Sequence, residues 1–243
     1  MNQQLEKISD TIKTKVLNLY NIYSIKFDND KYIRVIDMVT RAMISDSDIP
    51  MVRKLQLYYS ALLYPTNNIF FHRYDHGHAR DILNEIIFPT IIGNRENFIE
   101  EVVDLIAIMT KPKINPENDP WKYIIKDAIL IDRISPPYLV QDAIRLRQNG
   151  IPLYTRYTVQ IKEKSNMKSI CNKSEKYRSF MEYIYHVKLH EQGPIISRNQ
   201  YLIGVMDSYH DKIIDLCLIF GEEGCIIFDD LRKWARIDTK NQC

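Results

Sequence analysis

The stretch His72-Arg73-Tyr74-Asp75-His76-Gly77-His78-Ala79-Arg80-Asp81-Ile82-Leu83 places three of the chain's six histidines within seven residues. Where the chain is helical, residues three or four apart share a face, so His72 lies with His76 and His78 with Asp81. Imidazoles and carboxylates on adjacent turns are donors that a divalent cation takes from a helix. Without a metal, a histidine pair also suits general acid–base work near neutral pH. His72, His76 and His78 are therefore the candidate catalytic residues, with His76, His78 and Asp81 as candidate metal ligands. The competing reading is a polar helix start satisfied by caps and water.

Outward from this stretch the apolar periodicity is helical on both sides. Leu5, Ile8, Ile12, Val16, Leu19 and Tyr20 form one stripe, which predicts an amphipathic opening helix. Asp30 is a candidate cap for a second helix burying Ile33, Ile36, Val39 and Met43. Pro50 suits the first turn of a third, which runs through Leu55, Tyr58 and Leu62 and stops at Pro65. A fourth is expected from Asp75 through Ile87 before Pro89. A fifth spans Asn94–Met109, with Phe98, Val102, Leu105 and Ile106 inward. Three prolines make Lys111–Pro120 a loop. Pro120 opens a sixth helix that buries Trp121, Ile124, Ile125, Ala128 and Ile131, and Pro136-Pro137 breaks it. Tyr138–Gln148 is a seventh, ending before Gly150. Helices resume over Ser174–Glu191 and Arg198–Phe220, with a further short one at Phe228–Ala235.

The alternation of Thr155, Tyr157, Val159 and Ile161 breaks this pattern and predicts a short extended or hairpin insertion near 151–164. The expected architecture is all-α. It is a single helical domain over 1–243, with its core at about 50–150, a basic arm at 151–173 and C-terminal helices at 174–243.

Bulk properties agree with a globular chain. Of 243 residues, 45% are hydrophobic and 26% charged, and only 7 are glycine. That glycine count is too low for a turn-rich β-sandwich or a glycine-built dinucleotide site. No apolar run reaches the roughly 18 residues of a membrane span, and the N-terminus lacks the basic-then-apolar pattern of a signal peptide. Four cysteines without CxxC spacing read as reduced thiols, and the expected location is cytoplasmic.

Net charge is only +2, but from Arg145 to Arg178 nine Lys/Arg face two Glu. Such an excess attracts a phosphorylated small molecule, a nucleotide or nucleic acid, or is simply a solvated face. Tyr154 and Tyr157 interleave with Arg156 and Lys162, as stacking and phosphate contacts require of a nucleotide-binding strand. His186 and His190, four apart beside Glu191, are half of a zinc face or a polar helix face.

The segment Tyr74–Leu83 resembles the early helix of the HD-domain phosphohydrolases, a metal-dependent superfamily that includes the cyclic-nucleotide phosphodiesterases. His78-Ala79-Arg80-Asp81-Ile82 is similar to the His-Ala-x-Asp-Val of that branch. Lys126-Asp127-Ala128-Ile129-Leu130-Ile131-Asp132 resembles the later helix that supplies the last metal-binding aspartate, written Asp-Ala-Asp-x-Leu-Asp in several branches.

The resemblance covers roughly Leu62–Gly150. It implies an all-helical fold and a nucleotide phosphohydrolase or phosphodiesterase using Mg, Mn or Zn. His76 and His78 would ligate, with Asp81 or Asp127 completing the site. Arg73, Arg80 and Lys111 would hold phosphate oxygens. The His-Asp doublet that names the family is missing. One register puts Met109-Thr110-Lys111 at its place, and another puts Tyr64-Pro65 there. The alternative function is a non-catalytic HD-like module that binds nucleotide or nucleic acid through the basic arm.

Overall fold

A computed structural model describes residues 2–68, 77–88, 92–108, 119–153, 179–184 and 195–223. Every regular element among them is a helix, and the chain is all-α. The elements in order are α1 (Asn2–Ile22), α2 (Asn29–Ser45), α3 (Met51–Leu63), a 3-10 turn at Tyr64–Asn68, α4 (Gly77–Asn84) and α5 (Arg95–Ile108). A second 3-10 turn, Pro120–Tyr123, runs into α6 (Ile124–Asp132). Then come α7 (Pro136–Gln148), the short α8 (Phe180–Tyr183) and α9 (Gln200–Glu223). No helix among the described residues is long and apolar enough to cross a membrane.

The chain divides into two compact units. The first is Met1–Asp132 with Ile195–Ile203, and the second is Arg133–Pro194 with Gly204–Cys243. The expected core at 50–150 therefore crosses the division at Asp132.

In the first unit α3 is the central helix, packed against α1, α2 and α5, while α2 also packs on α6 and α4 on α5. The sequence explains the position of α3. Leu55, Leu57 and the run Tyr59–Leu63 are all buried, and a helix apolar on most sides belongs in the middle of a bundle. Side-chain hydroxyls fasten its C-terminal end. Tyr32 Oη donates to the Leu62 carbonyl at 2.7 Å and Tyr20 Oη to that of Pro65 at 2.9 Å. Asn67 Nδ2 donates to the Ile106 carbonyl at 2.8 Å, which ties the turn after α3 to α5.

Two local expectations change. Asp28 rather than Asp30 caps α2, accepting from the Lys31 amide at 3.0 Å. The buried face of α2 is Tyr32, Val35, Met38, Val39, Ala42 and Met43, while Ile33 is 55% exposed. The cause is that α2 is wedged between α3 and α6, so two neighbours choose the stripe that points inward. Pro136-Pro137 does not merely end α6; with Ser135 at the N-cap position the two prolines form the first turn of α7.

The end of α7 requires its glycine. Gly150 has φ +80° and donates to the Arg147 carbonyl at 3.0 Å, and the Ile151 amide donates to Leu146 at 3.0 Å. This pairing needs a left-handed residue after the cap, and buried Leu146 and Ile151 flank it. Residues 151–153 are non-helical; the rest of the insertion expected at 151–164 lies outside the described residues, as do 224–243.

Candidate functional site

The histidine-rich segment enters the described structure at Gly77, the first residue of α4. His78 is half-buried, and its Nε2 lies 3.3 Å from Tyr23 Oη at the end of α1, with the two rings 5.8 Å apart. Arg80 and Asp81 are exposed. Arg80 is met by a carboxylate of α5: both of its terminal nitrogens pair with Glu100, one of them at 2.9 Å from Oε2. His72, Arg73, His76, Lys111, Arg156 and Lys162 lie outside the described residues, as do His186 and His190.

On α6 the two aspartates are fully buried, each with a defined partner. Asp132 receives Arg34 of α2, with Nε at 2.6 Å from Oδ1 and Nη2 at 3.4 Å from Oδ2. Arg34 was not signalled by sequence, because nothing in spacing links two residues 98 positions apart. Tyr64 lies near Asp132. Burial pushes the Tyr64 hydroxyl well above the usual tyrosine range, and the nearby charge of Asp132 adds to it. The Tyr32 and Tyr64 rings are 6.1 Å apart.

Asp127 accepts backbone hydrogen bonds from a strand of loop far along the chain. The Ile196 amide donates to Oδ2 at 3.0 Å and to Oδ1 at 3.2 Å, and the Ser197 amide donates to Oδ2 at 2.7 Å. Burial raises the Asp127 carboxyl pKa; the Ser197 hydroxyl, the two amides and the Lys126 charge oppose that rise. The carboxylate is turned toward two N–H groups within the buried interior of the first unit. Among the described residues no group of three or more His, Cys, Asp or Glu is arranged to hold a metal ion.

α4 and α6 thus differ in what they offer chemically. The α4 segment carries a half-buried imidazole, an exposed guanidinium and an exposed carboxylate within four residues. The α6 carboxylates are consumed by the fold. The chain matches no family model, no curated protein and no solved structure.

Proposed function

We propose that this protein is a non-catalytic, HD-like helical module that binds a nucleotide, with the basic arm following α7 supplying the phosphate contacts. The observation that carries the reading is the engagement of Asp127: its carboxylate takes two backbone amides at 2.7 and 3.0 Å. A metal-dependent hydrolase needs that type of group open to a cation and its water. The charge excess between Arg145 and Arg178 supports the binding half of the reading.

A second reading is favoured by the α4 surface. His78 is partly accessible beside Arg80 and Asp81, and with His72 and His76 it would serve a phosphohydrolase or phosphodiesterase acting on a nucleotide or cyclic nucleotide. In that reading a divalent metal or an imidazole pair activates the nucleophile.

One experiment separates the two. Calorimetric titration with mononucleotides and cyclic dinucleotides is run beside a hydrolysis screen, with and without added Mn. The binding reading expects affinity that falls as salt rises, a loss of about tenfold or more in Arg156→Ala with Lys162→Ala, and no turnover. Turnover abolished by chelator and by His76→Ala overturns it in favour of the second reading.

A further inference from the structure

We propose that Ile195–Asn199 is a releasable latch: a strap locked onto the first unit by Asp127 that opens locally, without unfolding of the helices beneath it. The geometry of its fastening carries this. Hydrogen bonds at both ends hold the strap and the start of α9. The Ile196 amide donates to both Asp127 oxygens and the Ser197 amide to one of them. Asn199 Nδ2 donates to the Ala42 carbonyl of α2 at 3.1 Å, and Asn199 Oδ1 accepts from the Leu202 amide at 3.2 Å, capping the first turn of α9.

All of these anchors are polar, and Asp127, Ser197 and Asn199 are each 3% exposed or less. Ile195 and Ile196 are only half-buried, and Arg198 is exposed. The strap's isoleucines bury less apolar surface than the fully enclosed Leu57, Tyr59, Leu62 and Leu63 of α3, and a segment with fewer buried apolar contacts opens at a lower cost than the core.

The backbone adds a bias toward opening. Arg198 stands at φ +55°, a left-handed conformation that disfavours any side chain with a Cβ. Its neighbours Ser197 and Asn199 are both pinned, so the strain persists because the bonds on either side impose it. Strain at the centre, between two pinned residues, makes the strap the place where local opening starts. The device stands independently of what the basic arm binds.

Native-state hydrogen exchange of the whole chain, read by NMR at low denaturant, tests it. The amides of Ile196, Ser197 and Leu202 should exchange by an opening with little denaturant dependence. Those of Leu57 and Tyr59 in α3 should need global unfolding. Asp127→Ala should speed exchange at the three latch amides by about ten- to hundredfold, corresponding to one or two lost hydrogen bonds, and speed the α3 amides by no more than the same factor, while the α3 amides keep a steep denaturant slope and the latch amides a shallow one. Asp127→Asn, which keeps one carbonyl oxygen as acceptor, should recover most of the protection. Arg198→Gly relieves the strain and should slow latch exchange by about two- to fivefold. Should Asp127→Ala fail to fold, the wild-type denaturant slopes and Arg198→Gly decide the matter. Latch amides that share the rate and slope of the α3 core, or an Arg198→Gly variant that exchanges faster, would overturn the proposal.

Discussion

α4 and α6 carry the two ends of one motif resemblance, yet the fold treats them in opposite ways. On α4, Ala79, Ile82 and Leu83 turn inward, and this leaves Arg80 and Asp81 at the surface and His78 half-covered. On α6, Ile124, Ile125, Ala128 and Ile131 turn inward, but so do Asp127 and Asp132. A short helix lying on α5 has one wet face. One wedged among α2, α3 and the Ile195–Asn199 strap has almost none, so its carboxylates must find partners inside the protein. A polar residue at a motif position is free for chemistry only where the packing leaves it free.

The largest expected effect that tests this contrast is Asp132→Ala. Removing one member of a buried ion pair strands the other, at a cost of about 3–5 kcal/mol when both are enclosed. Arg34 is 22% exposed at its side chain and can recover some hydration, so the lower end, about 3 kcal/mol in urea unfolding, is expected. A loss under about 1 kcal/mol would mean that the pair contributes no more than a surface bridge.

Asp127→Ala follows, at about 2 kcal/mol, because the Ile196 and Ser197 amides lose their acceptor. Thermal unfolding of the intact chain measures it. Unchanged stability would place the buried carboxylate outside the set of groups that hold the first unit together.

A smaller effect is pH-dependent and sharpens the same point. The Asp127 carboxyl pKa is raised above its ordinary 3.8 by burial, so the folded state holds the proton more tightly than the unfolded one. Its contribution is therefore fully present below 3.8 and is lost as pH rises through the folded value. Asp127→Asn cannot titrate. Between about pH 7 and about pH 4 the Tm difference should move in favour of the wild type as pH falls. A difference that is flat, or that moves the other way, contradicts the assigned cause.

The smallest effects belong to α4. Arg80→Ala breaks an ion pair whose side chains are 46% and 54% exposed, and His78→Ala removes a half-covered ring. Each should shift stability by less than about 1 kcal/mol. If either costs as much as Asp132→Ala, the α4 surface is structural and the contrast with α6 fails.

Much of the helical layout was legible from periodicity. Phe98, Val102, Leu105 and Ile106 face inward on α5, as do Ile8, Ile12, Val16 and Tyr20 on α1, because a helix with one covered face writes its stripe into the sequence. On α2 the expected Val39 and Met43 are buried, but Ile33 is exposed while Tyr32 and Val35 are buried in its place. A helix touching two neighbours has its inward direction set by both, and local spacing does not name them.

By itself the sequence determined the all-α class, the proline and glycine boundaries of α3 and α7, and the cluster of histidines around α4. Each follows from interactions within a few residues of chain: φ restriction, capping and side-chain spacing. Only the tertiary structure decided that Asp132 belongs to Arg34 and that Asp127 holds the Ile196 and Ser197 amides. These pairs span 98, 69 and 70 positions. Burial at helix crossings, and not any local rule, makes a carboxylate choose its partner there.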